Sequence, residues 1–145
     1  MKNSDLLITG MGVISAAGSG VDQSFRSMKS GERNAGPLSI FRADLKCPVF
    51  EVGQIHQEYV VPGSRTLSLA LCAVSEALQG ASLSDLSGLR VGVSLGTTVA
   101  SQLNDLDFYR AYRGSGDAPM DVVERYLKGN IAEFIARKVG ACGPV

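Results

Sequence analysis

Few residues capable of covalent or metal chemistry are present in this chain. Its 145 residues include no tryptophan, one histidine and three cysteines. No cluster of histidine, cysteine and carboxylate residues around His56 has the spacing of a zinc site. The cysteines, Cys47, Cys72 and Cys142, stand far apart and form no CxxC pair. A small, odd number of separated cysteines favours a reduced, cytoplasmic chain over one held by disulfides.

Net charge and long apolar runs are lacking as well. Fourteen basic and fourteen acidic residues give a formal net charge of zero, so no global field draws the chain to nucleic acid or anionic lipid. No run approaches the roughly 18 apolar residues of a membrane span, and the N-terminal apolar stretch is too short for a signal peptide. With a hydrophobic fraction of 45%, these absences predict a soluble cytoplasmic protein with one domain over residues 1–145.

The spacing of the apolar residues predicts strands alternating with helices. Three short apolar runs have the length of buried strands: Leu6–Thr9, Pro48–Ile55 and Arg90–Leu95. Four segments have the periodicity and end signals of helices: Val21–Lys29, Arg65–Leu78, Met120–Lys128 and Ile131–Val139. Gly114–Ala118 is predicted to be a loop. The alternation favours the α/β class with a largely parallel sheet.

Two of the predicted helices have a distinct apolar face. In the first, Val21, Phe25 and Met28 recur at i, i+4 and i+7, which predicts an amphipathic helix that Gly31 stops. The last helix is predicted to begin at a capping box formed by Asn130 and Glu133 and to end at Gly140. Its apolar face holds four residues: Ile131, Phe134, Ile135 and Val139.

The stretch LLITGMGVISAAGSG invites a nucleotide-binding interpretation. Gly10 and Gly12 give G-x-G, but a dinucleotide fingerprint needs a third glycine where Ser15 stands, and Gly18 comes too late. A P-loop needs a Gly-Lys-Ser/Thr ending, which is absent from this stretch. A tight connection with close backbone packing is therefore favoured over phosphate binding. A small nucleotide-binding protein is kept as one of the functional hypotheses, although the motif does not favour it.

Two further motifs suggest nucleophiles. The sequence Gly92-Val-Ser94-Leu-Gly96 matches the G-x-S-x-G elbow of α/β-hydrolases, but the histidine of such a triad follows the serine, whereas His56 precedes it. Cys142 follows the end of a predicted helix, where the helix dipole is negative and disfavours a thiolate. A strand serine and a connecting-loop cysteine are therefore the favoured interpretations.

Four segments, taken together and in order, resemble the β-ketoacyl-acyl-carrier-protein synthases. The first contains the strand, T-G-x-G-V-x-S turn and short helix that open those enzymes. The second resembles their alanine-rich buried helix, the third their strand ending in a Gly-Thr-rich turn, and the fourth the helix and G-x-x-G-P before the nucleophile. The segments are Leu6–Gly31, Ser64–Leu78, Arg90–Thr98 and Asn130–Val145.

The resemblance implies the N-terminal half of a thiolase-like condensing enzyme, an α/β fold with a largely parallel mixed sheet covered by helices. In that family the nucleophilic cysteine follows the Gly-Pro, and two histidines and a lysine come later. The resemblance therefore implies no catalytic, cofactor-binding or metal-binding residue within residues 1–145, and a fragment that is inactive alone. It also implies acyl carrier protein as partner and a homodimer or heterodimer at full length. Thr97–Leu106 is the candidate wall of the acyl pocket.

The chain departs from the family pattern at several positions. Ala16 stands where a proline is common, and Thr98, Ala100 and Ser101 replace glycines after the third predicted strand. Glu133 occupies the glycine position of the Asn-Met-x-x-Gly that often precedes Gly-Pro. These departures keep open the alternative of a non-catalytic, ketosynthase-like subunit of the chain-length-factor type.

Overall fold

A computed structural model of the chain describes residues 6–44, 46–98, 106–120 and 131–145. The described part holds one short 3-10 helix, Gln57–Tyr59, and four α-helices: α1 (Val21–Ser30), α2 (Arg65–Gly80), α3 (Leu106–Ser115) and α4 (Ile131–Val139). The chain forms two compact units, the first from residues 1–59 and 71–84 and the second from residues 60–70 and 85–145. Across the described ranges, no helix is both long and apolar enough to cross a membrane.

The prediction of a largely parallel mixed sheet in a thiolase-like α/β fold is wrong. Among the described residues the only β-type pairings are two isolated antiparallel bridges, Ser15 with Gly18 and Gly36 with Val49. The run Leu6–Thr9 pairs with no strand among the residues that the structure describes, and it exposes its leucines and isoleucine. A short apolar run becomes a strand only where a neighbour supplies its backbone hydrogen bonds, and composition does not reveal that neighbour.

The run Arg90–Leu95 also forms no β-ladder with the described residues. It makes two backbone hydrogen bonds: the Val91 oxygen accepts from Gly143 N–H (2.7 Å), and Val93 N–H donates to the Pro144 oxygen (2.9 Å). These bonds attach the run to the C-terminal tail without forming a ladder. Within the described ranges, the run Pro48–Ile55 likewise forms one bridge, at Val49, in place of a strand.

Helix α1 confirms the first predicted helix but turns its apolar face outward. The helix ends where Gly31 adopts a left-handed conformation (φ 70°) and donates to the Met28 oxygen. Ser24 and Ser27 are buried, at 3% and 6% exposure, whereas Phe25 and Met28 are 62% and 67% exposed. The core-facing side of α1 is therefore its serine side.

Hydrogen bonds explain why two serines can lie inside. Ser24 Oγ donates to the Gly18 oxygen over 3.5 Å. Ser27 Oγ accepts a 2.6 Å bond from the side-chain amide of Asn34, which lies in the loop after the helix. A buried hydroxyl is tolerated when its bond to water is replaced by a bond inside the protein. These local partners compensate for placing the polar face inward.

Helix α2 confirms the second predicted helix and extends it through Gly80. At its start, Ser64 Oγ accepts the Leu67 N–H over 3.4 Å, as an N-cap residue does. Leu67 is 2% exposed. At its end, Ser82 adopts a left-handed conformation (φ 57°), and Leu83 N–H closes the last turn on the Leu78 oxygen. A serine here takes the conformation that glycine usually supplies.

Helix α4 matches the last predicted helix from Ile131 to Val139, but of its predicted apolar face only Ile135 is buried, while Ile131, Phe134 and Val139 are half-buried. Ala132, Ile135 and Ala136 are buried, and Ile135 is only 1% exposed. Gly140 (φ 74°) ends the helix as predicted. On the outer side, Arg137 pairs with the carboxylate of Glu133 one turn earlier.

The remaining segment predictions have mixed outcomes. Helix α3 was not expected, and it runs through Gly114 to Ser115, where the sequence predicts the start of a loop. Its residues Phe108 and Tyr112 stack one turn apart, with 6.0 Å between ring centroids. The predicted helix Met120–Lys128 (apart from Met120, which lies in a turn) and the predicted cap Asn130 lie outside the described residues. So does most of the candidate wall Thr97–Leu106.

Candidate functional site

The glycines of the opening stretch pack directly on the backbone of α2. A Cβ atom added to Gly10 would overlap the carbonyl oxygen of Ala77, and one added to Gly12 would overlap that of Ala73. Only a residue without a side chain allows two backbones to approach this closely. The prediction that these glycines serve close packing is therefore confirmed, although the segment before them is not a strand.

The carboxylate of Glu76, on α2, binds this glycine-rich segment. Its Oε2 accepts the Val13 N–H over 2.9 Å, and its Oε1 accepts the Val21 N–H over 2.7 Å. Val21 is the first residue of α1, so the carboxylate lies at a helix N-terminus, where the dipole favours an anion. Glu76 thus occupies the position that a bound phosphate would take at such a terminus.

Beside this carboxylate, the first unit contains a pocket of about 320 Å³. Its walls come from the glycine-rich segment, the region of the 3-10 helix and one side of α2. The described lining residues are Val13, Ile14, Ser19, His56, Glu58, Tyr59, Cys72, Glu76 and Gln79. The hydroxyl of Tyr59 is fixed by a 2.8 Å hydrogen bond with the hydroxyl of Ser75 on α2. The volume is at the lower end of the range for small-molecule sites.

The electrostatics of this pocket disfavour anions and nucleophilic catalysis. Its described lining includes two carboxylates and no lysine or arginine, so a phosphate would meet charge of its own sign. Burial raises the pKa of the Cys72 thiol; a backbone hydrogen bond at His56 opposes that shift, and the charge of Glu58 adds to it. A thiol with a raised pKa stays protonated at neutral pH and is a poor nucleophile.

The candidate residues considered from the sequence lie in separate places. His56 lines the pocket in the first unit. Ser94 is exposed and lines a different pocket, of about 480 Å³, in the second unit. Cys142 is exposed in the segment after α4, where its thiol faces the Gly140 oxygen at 3.7 Å. Cys142 therefore lies in an irregular segment after the end of a helix, as predicted. Close packing also explains Gly143, where a Cβ would overlap the Val91 oxygen.

Sequence reasoning missed the polar side of α2. Cys72, Glu76 and Gln79 recur at i, i+4 and i+7 in a helix otherwise rich in alanine and leucine, and all three line the pocket. This spacing places them on one face. A polar stripe in an apolar helix was the signal that could have identified them. Within the described ranges, no group of three histidine, cysteine, aspartate or glutamate residues is placed to hold a metal ion.

Comparisons of the chain with protein-family models, with curated proteins and with solved structures found no significant match.

Proposed function

We propose that the chain is the N-terminal portion of a 3-oxoacyl-[acyl-carrier-protein] synthase, an acyltransferase of fatty acid or polyketide biosynthesis. The observation that carries the proposal is the order of four sequence segments, which follow one another as in the β-ketoacyl synthases. The segments are Leu6–Gly31, Ser64–Leu78, Arg90–Thr98 and Asn130–Val145. The described residues do not contain the β-sheet that is typical of that family, so the proposal rests on the sequence.

The proposed reaction is a decarboxylative condensation of acyl and malonyl thioesters. A cysteine thiolate first takes the acyl group, which divides one difficult step into two. Backbone amides hold the thioester oxyanion, and two histidines assist the loss of carbon dioxide from the malonyl thioester. The carbanion equivalent formed in this way attacks the acyl-enzyme and releases the cysteine thiolate. None of these catalytic groups falls within residues 1–145, so the chain alone is inactive. Acyl carrier protein is the proposed partner, the full-length form is a homodimer or heterodimer, and the location is the cytoplasm.

Two features of the site agree with a supporting role for this part of the chain. The Glu76 carboxylate accepts hydrogen bonds from the backbone N–H groups of Val13 and Val21, so these donors are not available to a phosphate. The glycine-rich segment therefore serves packing. Cys72, the one thiol that lines the described pocket, has a raised pKa and so lacks the activation that an acyl-accepting thiol needs.

The alternative is a non-catalytic, ketosynthase-like subunit, and one residue favours it in particular. Glu133 stands where the family has a glycine that permits a close helix contact. In α4 its carboxylate pairs with Arg137, and its side chain is 43% exposed, so this position forms a polar outer edge. A family member that has lost its close contact here fits a divergent role.

The sequence of the coding DNA beyond the codon for Val145 tests both proposals. A cysteine codon soon after Gly143-Pro144, with two later histidine codons, is the expected result for a condensing enzyme. A different residue at that position, in an otherwise similar continuation, would replace the first proposal with the alternative. A stop codon, or a continuation without these features, would overturn both.

A further inference from the structure

We propose that α1 is a contact surface between two copies of this chain, which pair through its outward apolar face in an antiparallel arrangement. The first observation is the inverted helix: Phe25 and Met28 are mostly exposed while Ser24 and Ser27 are buried. An amphipathic helix normally turns its apolar stripe toward the core. Here the serine side of α1 faces the core, so the apolar stripe faces away from the core and can contact another protein surface.

The charges that border the apolar stripe select a second copy as the partner. Asp22 lies in the first turn of α1 and Lys29 in the last turn. They are seven residues apart, or about two turns, so both lie on the same edge of the stripe. When two copies of α1 lie antiparallel about a twofold axis, each end of the contact places Asp22 of one copy beside Lys29 of the other. The surface is thus complementary to itself, as a twofold interface requires.

The apolar residues fit the same arrangement. Phe25 and Met28 lie about 4.5 Å apart along the helix axis. A twofold axis passing between them therefore sets Phe25 of each copy against Met28 of the other, and the flexible thioether can adapt to the ring. Arg26 projects about 100° around the helix from Phe25, and its Nε donates to the Asp22 backbone oxygen, so it lies to the side of the contact.

The first test is sedimentation equilibrium of the purified chain at low salt over a wide range of concentration. We expect a monomer–dimer equilibrium. Phe25→Asp places a charge at the centre of the contact and is expected to raise the dimer dissociation constant about tenfold or more. The control is Phe50→Asp, since Phe50 is 69% exposed in the same unit but lies outside α1. A monomer up to the solubility limit, or equal effects of the two variants, would overturn the proposal.

The second test uses charge reversal and leaves the apolar face intact. Asp22→Lys and Lys29→Asp each place like charges together in their own dimer, so each variant alone is expected to associate more weakly. An equimolar mixture of the two restores both opposite-charge pairs and is expected to form a heterodimer, weakened by added salt. A mixture that associates no better than its components would overturn the antiparallel arrangement. Neither test depends on acyl transfer, so the surface and the proposed function can fail separately.

Discussion

Helices α1 and α4 are both strongly amphipathic, yet they present opposite sides to the interior. Helix α4 buries Ala132, Ile135 and Ala136 and keeps Glu133 and Arg137 at its surface. Helix α1 does the reverse, with two serines inside and a phenylalanine and a methionine outside. Burial of these three apolar side chains favours the orientation of α4. The orientation of α1 is fixed by specific polar contacts, which are directional in a way that apolar burial is not.

Those polar contacts lie at the N-terminus of α1 and along its serine side. Glu76 accepts the N–H of Val21 at the start of the helix, Asn34 donates to Ser27 from the following loop, and Ser24 donates to the Gly18 oxygen. Each is modest, at about 0.5–1.5 kcal/mol for a neutral bond and about 1.5–3 kcal/mol for a charged one. Together they can oppose the burial of two apolar side chains, worth about 1.5–3 kcal/mol each.

The largest expected effect is a difference in the free energy of unfolding when a large apolar side chain is removed from α4 or from α1. Ile135→Ala in α4 removes a fully buried side chain and is expected to lower the free energy of unfolding by about 2–5 kcal/mol. Phe25→Ala in α1 removes a larger but exposed side chain, and its effect on the monomer is expected to stay within about 0.5 kcal/mol. Urea unfolding at low protein concentration measures both. Similar losses in the two variants would mean that α1 buries Phe25 after all.

Glu76→Gln tests the polar contact at the start of α1, which has no counterpart in the account of α4. The amide keeps the shape of the side chain but loses the charge and one acceptor oxygen, so we expect a loss of about 1.5–3 kcal/mol in the free energy of unfolding. Hydrogen exchange should show faster exchange at the Val21 amide and no change in α4. Glu58→Gln is the matched control, since Glu58 is an exposed carboxylate on the same pocket. A Val21 amide that exchanges as in the wild type would contradict the role given to Glu76.

Gly12→Ala tests the close approach of the glycine-rich segment to α2. The added methyl group would overlap the Ala73 carbonyl oxygen, so the backbones must separate, at about 1–3 kcal/mol in the free energy of unfolding. Gly53→Ala is the control because a Cβ there meets nothing within 4 Å. Chemical denaturation of the two variants gives the comparison. A Gly12 variant as stable as the Gly53 variant would remove the packing explanation for this stretch.

Ser27→Ala is expected to act more weakly. It removes the acceptor of the 2.6 Å bond from Asn34, although the Asn34 amide also lies 3.3 Å from the Glu32 oxygen. We expect a loss of about 0.5–1.5 kcal/mol in the free energy of unfolding. The exposed Ser84→Ala serves as the reference in the same thermal or urea melts. A stabilised Ser27 variant would show that α1 tolerates its buried serine rather than relying on it.

The smallest effect concerns the thiols of the two regions and depends on pH. Because the pKa of Cys72 is raised, its alkylation by iodoacetamide should increase only above the pH range in which the urea-unfolded chain reacts. The unfolded chain ionises this thiol first, so the folded state loses a little stability as pH rises through that window. Peptide mass spectrometry separates Cys72 from the exposed Cys142. Alkylation of Cys72 at lower pH than in urea would contradict the raised pKa.

The sequence predicted local structure much better than long-range pairing. The period of apolar residues predicted α1, α2 and α4, and the following glycine predicted where α1 and α4 end, because both signals act within a few residues of the chain. Helix α2 instead continues through Gly80, and Ser82 takes the left-handed conformation after it. Short apolar runs did not reveal that Leu6–Thr9 and Arg90–Leu95 form no ladder with the rest of the described chain, since pairing is a non-local property. The apolar stripe of α1 was also recognised, but its orientation depends on Asn34 and Glu76, which lie outside the helix.

The site was harder to predict than the helices. The packing role of Gly10 and Gly12 follows from a glycine pattern that fits no phosphate-binding motif. The pocket could not be predicted from the sequence in the same way. His56 and the 3-10 helix lie next to the polar stripe of α2 only in the folded chain. The spacing of Cys72 and Glu76 places them on one face of the helix, but it does not show that this face borders a pocket.

The most direct measurement of the central claim is the oxidation rate of Met28 by hydrogen peroxide at several protein concentrations, read by peptide mass spectrometry. Met120, which is 53% exposed and lies outside α1, is the internal reference. The account predicts that Met28 reacts as fast as Met120 in dilute protein and becomes protected as the concentration rises and α1 pairs. A Met28 that reacts slowly at every dilution would mean that the apolar face of α1 is buried within its own chain.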